Sequence, residues 1–249
     1  MIFSFFIMRS TGETIFVDDC RTDFNVPLLS GFISALFSFL DKALHTTDIF
    51  SLDVALLRFI FSTSEIGNST YYFVLLVQRI DTLSEYQPKL NLVKHKFIEQ
   101  YSDTLKNWTG GNTAIFEGFR KIQRQIFETV PLSIPELIKK ELSETIKYVS
   151  DSNDNLKGVA ILSPTGSVIV SSLNTLTLIK IIEILEGRYY TGAKTVNQLI
   201  SKEEEGILVL IGGKTVILAT IFDKSTPLGT TLVESKLLAE SLNKIIEDS

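Results

Sequence analysis

A turn phrase that occurs twice is the strongest constraint on this chain. Residues 7–16 read IMRSTGETIF and residues 161–170 read ILSPTGSVIV. In each, two apolar residues lead through a short polar segment to Thr-Gly, and a second apolar run begins two residues later. Glycine takes a positive φ at no steric cost, as a tight hairpin turn demands. Gly12 and Gly166 therefore each predict a hairpin of two antiparallel strands, over SFFIMRSTGETIFV and GVAILSPTGSVIVS.

The segments after the two hairpins are also alike. VPLLSGFISALFSFLDKAL (Val26 to Leu44) carries Leu29, Phe32, Ile33, Leu36, Leu40 and Ala43 at helical spacing. NTLTLIKIIEILEGRYY (Asn174 to Tyr190) does the same with Leu178, Ile181, Ile182, Leu185 and Tyr189. Strand-like runs come next: IFSLDVALLRFIFSTS and YYFVLLVQRI in the first half, TVNQLIS, GILVLIG and KTVILATIF in the second. No turn residue marks a break near Ala55, so the first half's strand count is left open. Helices over Leu83 to Leu105, Ala114 to Phe127 and Leu228 to Ile246 close the halves. Pro131 and Pro135 punctuate the junction, with a helix starting at Ser133 or Ile134 and Pro135 in its first turn. The expected organisation is α+β: two domains, 1–130 and 131–249, each a roughly five-stranded antiparallel sheet with helices on its faces.

Composition narrows the function. Hydrophobic residues make up 45% and charged residues 21%, which suits folded domains and argues against extended disorder. A net charge of -5 without any Lys/Arg cluster disfavours nucleic acid as partner. The single cysteine, Cys20, can form no disulfide within the chain, and this favours a reducing compartment. The opening MIFSFFIMRS has no basic n-region, and Arg9 ends its apolar run, so neither a signal peptide nor a spanning segment is expected there. A cytoplasmic location is therefore the expectation, with membrane contact only indirectly, through partners.

No constellation of catalytic residues emerges. IGGKTV (Ile211 to Val216) lacks the glycine five residues before Gly213 that a phosphate loop requires, and the segment after it is strand-like. It predicts a hairpin with Gly212 and Gly213 in the turn. His45 and His95 lack neighbouring metal ligands at helical spacing, apart from Asn91 and Glu99 around His95. Cys20 comes after two carboxylates, which raise a thiol's pKa rather than activate it. Asp18 with Asp19, and the KEEEG run at Lys202 to Gly206, read as solvated turns, since adjacent strand positions point to opposite faces. No enzyme activity, cofactor or metal is expected.

The anomaly is surplus apolar surface. Leu28, Leu29, Phe32, Ile33, Ala35, Leu36, Phe37, Phe39, Leu40, Ala43 and Leu44 cover roughly 200° of the first middle helix, and one sheet needs only about 100° or somewhat more. The polar remainder is Ser30, Ser34, Ser38, Asp41 and Lys42. The second middle helix leaves only Lys180, Glu183 and Glu186 as a charged strip. Each helix is expected to offer a second face to a partner, with Ile33, Phe37, Leu44, Ile181, Ile184, Leu185 and Tyr189 as interface residues. The competing expectation is that the long closing helices cover the surplus from within.

On these residues the second half, roughly Pro135 to Asp248, resembles the roadblock/dynein-light-chain domain, through its opening helix, GVAILSPTGSVIVSS, the middle helix, GILVLIGGKTVILATIF and the closing helix. The first half, roughly Met1 to Thr129, resembles a longin domain, through FFIMRSTGETIFVDD, LLSGFISALFSFLDKAL and closing helices containing FIEQYSDTLKNW and FEGFRKIQRQIF. The resemblance implies a profilin-like fold and dimerisation through the middle helix and an adjacent strand edge. It also implies a non-catalytic platform or regulator for Ras-like small GTPases. The partners implied are a small GTPase and either a homodimer or an intramolecular longin–roadblock pseudo-dimer. Two alternatives stand beside it: a structural dimerisation subunit of a trafficking or motility complex, and a small-molecule sensor. The last requires a sizeable polar-lined pocket, whereas the cores read as aliphatic and aromatic.

Overall fold

The computed structural model describes residues 1–19, 24–46, 49–129, 134–190, 197–213 and 215–247, the side chains at 189, 190 and 247 excepted. The chain divides into two compact units, Met1–Val130 and Pro131–Ser249. The first runs β1 (Ile2–Arg9), β2 (Thr14–Asp19), α1 (Val26–Leu44), β3 (Ser51–Val54), β4 (Leu57–Ile66), β5 (Ser69–Gln78) and α2 (Leu83–Lys106). It closes with a 3₁₀ segment (Ala114–Phe119) that leads into α3 (Arg120–Glu128). The second runs α4 (Glu136–Ser152), β6 (Leu156–Leu162), β7 (Val168–Ser171), α5 (Thr175–Tyr190), β8 (Gln198–Lys202), β9 (Ile207–Gly212), β10 (Ile217–Phe222) and α6 (Leu228–Glu247).

The sheets share one strand order, β2-β1-β5-β4-β3 and β7-β6-β10-β9-β8, and every pairing is antiparallel. Each middle helix thus carries the chain from one edge strand to the opposite edge. The α+β class and the two five-stranded sheets are as expected.

The repeated phrase folds identically down to its hydrogen bonds. Gly12 has φ 90° and Gly166 φ 89°. The Gly12 amide donates to the Arg9 carbonyl at 2.9 Å, and the Gly166 amide to the Ser163 carbonyl at 2.8 Å. In both hairpins the register shifts by one residue just before the turn, as expected of a glycine in the left-handed region closing a bulged loop. The middle helices share a start signal that their apolar spacing does not reveal. The Asn25 side chain accepts from the Leu28 amide at 3.0 Å and the Asn174 side chain from the Thr177 amide at 2.9 Å, an asparagine cap at each start.

Three local expectations are sharpened. The break near Ala55 is a true turn between β3 and β4, with Ala55 itself at φ 53°, so the first sheet has five strands. Of the two glycines expected in the IGGKTV turn, Gly212 ends β9, paired with Ile217, and only Gly213 lies beyond the strand, its amide on the Val216 carbonyl at 2.8 Å. The junction helix begins at Glu136, one residue after Pro135, which is its cap rather than part of its first turn. Ser133 lies outside the described residues.

The first sheet is buried on both faces because its central strand is apolar at nearly every position. Tyr71, Phe73, Leu75 and Val77 of β5 pack with Leu90, Val93, Phe97 and Tyr101 of α2 and with Phe116 and Phe119. Tyr72, Val74 and Leu76 point to the opposite face, against Val26, Ile33 and Phe37 of α1. The second sheet packs Val159, Ile161, Val209 and Leu218 against Leu142 and Ile146 of α4 and Leu238 and Leu242 of α6. Its alternate residues, including Ala160, Leu162, Leu208, Leu210 and Ala219, are buried as well.

Candidate interaction surfaces

Three faces of α1 have three different fates. Val26, Ser30, Ile33 and Phe37, at helical spacing, are buried on the sheet. Phe37 stacks on Tyr72 with ring centroids 4.3 Å apart and meets Phe61 edge-on at 5.3 Å. Opposite them stand Leu28 (71% exposed), Phe32 (51%) and Phe39 (63%), with exposed Ala35 between. The spacing 28, 32, 35, 39 is the four-three-four step of an apolar seam that fits a second helix. By length and composition α1 could cross a bilayer, but its inner face is built into the sheet's core.

The third face is the polar strip. Ser34, Ser38 and Asp41 do not simply meet solvent; with Phe37 they form one wall of a cavity of about 890 Å³. The opposite wall is Thr63, Ser64 and Glu65 of β4 and Thr70 and Tyr72 of β5, and Ser10 of the first hairpin turn completes it. Thr63 pairs with Tyr72 and Glu65 with Thr70 across the strands, so these four stand as neighbours. Ser34 Oγ donates to the Ser10 carbonyl at 2.6 Å, tying α1 to the hairpin. The polar residues of α1 thus line a groove at the surface, while the cores themselves are aliphatic and aromatic.

Of the expected interface residues, Ile33 and Phe37 are corrected outright. They are 0% and 1% exposed within the unit's own core, because the i, i+4 pair that faces the sheet includes the ring that stacks on Tyr72. Leu44 is 61% exposed and belongs to the outer face of α1. In α5, Ile181 and Leu185 are buried and Ile184 is half-buried. The Tyr189 side chain lies outside the described residues. The residues that do display apolar surface on α1, Leu28, Phe32 and Phe39, were all within the apolar arc; helical spacing gives the arc but not which side of it the sheet takes.

The remaining candidates resolve into structural roles. Asp18 is buried rather than a solvated turn residue. Arg120 Nη1 donates to it at 2.6 Å, and Arg124 donates to both its oxygens at 2.6 and 2.9 Å. Burial alone would raise its pKa; the hydrogen bonds and charges of Arg124 and Arg120 outweigh that and hold it below the ordinary value. Asp19 is exposed and Cys20 lies outside the described residues. Glu205, in the β8–β9 turn, accepts from Thr177 and, at 3.3 Å, from Lys180, which ties α5 to the sheet. His45 ends α1 in the left-handed region, its amide on the Asp41 carbonyl at 3.1 Å. His95 is exposed on α2, while Asn91 is taken up by Ser62 at 2.8 Å. Among the described residues no group of three or more His, Cys, Asp or Glu could hold a metal ion.

Comparison with known proteins yields no matching family model and no matching curated protein. Solved structures do match. The Roadblock/LC7 domain from Streptomyces avermitillis aligns at 15% identity over 44% of this chain and 98% of its own, with a TM-score of 0.32. The gliding protein MglB from Thermus thermophilus aligns at 16% identity over 49% of this chain and 99% of its own, with a TM-score of 0.39. Myxococcus xanthus MglB aligns at 17% identity over 47% of this chain and 85% of its own, with a TM-score of 0.28. About half of this chain is thus similar to roadblock-type structures, at a level where the strand order above, and not the score, carries the description of the fold.

Proposed function

We propose that the chain is a non-catalytic binding platform or regulator for a Ras-like small GTPase, working through a dimerisation surface on the outer face of α1. The observation that carries this reading is the exposed seam Leu28, Phe32, Ala35 and Phe39, with Leu44 beyond it. Each large apolar side chain buried there on association is worth about 1.5–3 kcal/mol. Left in water, a contiguous patch of this kind invites association. The helix packs on β1 and β2, the latter an edge strand, so seam and sheet edge belong to one region of the unit. The resemblance of the two halves to longin and roadblock domains supplies the class of partner.

Binding of the purified protein to Ras-like GTPases, each loaded with GDP or a GTP analogue, tests the reading. Nucleotide-dependent binding is the expected result, since a regulator acts by its differential affinity for the two states. Binding in neither state overturns it. The α1 seam would then belong to a structural dimerisation subunit, and Phe39→Ser would abolish self-association without touching any GTPase.

A further inference from the structure

The polar cavity of the first unit plays no part in that reading. Its walls carry two carboxylates, Asp41 and Glu65, on opposite sides, and neither Lys nor Arg lines it. Among the described residues neither carboxylate forms an ion pair. The hydroxyls of Ser10, Ser38, Thr63 and Thr70 make no hydrogen bond within the protein among those residues either, whereas Ser34 is committed to the Ser10 carbonyl. Tyr72 adds an independent observation. The residue is 5% exposed and lines the cavity, yet its hydroxyl has no partner among the described residues. The ring is buried while the hydroxyl opens onto the groove. Burial, and after it the Asp41 charge, raises the Tyr72 pKa, so the phenol stays a donor at neutral pH.

The volume, about 890 Å³, lies in the range of small-molecule sites. Phe37 and Tyr72, stacked on each other, form its floor. Two uncompensated carboxylates select for positive charge, and the free hydroxyls suit a ligand that donates and accepts repeatedly. We propose that this cavity, between the polar strip of α1 and the ends of β4 and β5, binds a small hydroxylated organic cation, of which a protonated amino sugar is the simplest kind. Asp41 and Glu65 hold the ammonium group, and the Tyr72 hydroxyl and the serine and threonine hydroxyls meet the ligand's hydroxyls.

The test titrates the full chain with glucosamine and, as the uncharged counterpart, glucose, in phosphate buffer because Tris itself belongs to the proposed class. Calorimetry or amide chemical shifts read the binding. Saturable binding of glucosamine at millimolar concentration or below is expected, with glucose at least about tenfold weaker. Asp41→Asn and Glu65→Gln should each weaken glucosamine binding about tenfold, and Tyr72→Phe several-fold. Asp41 is exposed in the last turn of a helix, where a negative charge opposes the helix dipole, so its neutral variant keeps the fold. An unchanged circular-dichroism melt verifies that. Absence of saturable glucosamine binding overturns the proposal, as does equal binding of glucose or indifference to the double variant Asp41→Asn/Glu65→Gln.

Discussion

The helices α1 and α5 occupy the same place in the same topology, each bridging the two edges of its sheet, and yet they dispose of apolar surface in opposite ways. α1 buries Val26, Ser30, Ile33 and Phe37 and leaves Leu28, Phe32, Phe39 and Leu44 exposed. α5 buries Thr177, Leu178, Ile179, Ile181, Ile182, Leu185 and Glu186, a wider arc, and among its large apolar residues with described side chains only Leu176 is fully exposed, at 65%. The same surplus of hydrophobicity is therefore absorbed in one helix and displayed in the other. One topological position thus carries two different surfaces. In α1 the strip Ser34, Ser38 and Asp41 is turned toward a cavity, which leaves the apolar arc to face outward.

Two phenylalanines on α1, two residues apart, give the most severe test of this contrast. Phe37→Ala should cost about 3–5 kcal/mol in denaturant unfolding, because it empties a ring-lined site. Phe39→Ala should change the stability of the dissociated protein by less than about 0.5 kcal/mol. Comparable losses at both positions would mean that the outer face of α1 is covered. In α5, Ile181→Ala should cost about 2–5 kcal/mol, like Phe37 and unlike Phe39. If it is nearly neutral and abolishes self-association instead, α5 and not α1 carries the dimer surface.

Acid titration gives a smaller effect. The Asp18 pKa is depressed in the folded state, so the stability it confers is complete above its unfolded value, about 4, and disappears as pH falls through the lower folded value. The wild type should lose this component below about pH 4, and Asp18→Asn, already less stable at neutral pH, should show a flatter acid limb in thermal melts. The smallest expected effect is on stability from Phe32→Ser with Phe39→Ser: near zero, but with self-association in sedimentation equilibrium abolished.

How much of this could be read in advance depends on the distance over which each feature is decided. The hairpins at Gly12 and Gly166 were legible because positive φ is a local demand that glycine meets. The turn at Ala55 was not, since alanine there accepts about 1–2 kcal/mol of strain and carries no turn signature. Asp18 looked solvated because its partners Arg120 and Arg124 stand 102 and 106 residues away. The cavity was invisible for the same reason: Ser34 and Asp41 meet Thr63, Glu65 and Tyr72 only once the sheet is built.

The amino-acid sequence by itself determined the two-unit α+β plan, the strand-forming runs, the hairpin turns and the unusual width of the apolar arcs, all of which arise from steric preference and periodicity within a few residues. Only the tertiary structure decided which part of each arc meets a sheet, which part stays uncovered and which polar side chains converge. Burial is settled by packing across residues far apart in the chain, and helical periodicity alone does not say which neighbour lies on which side.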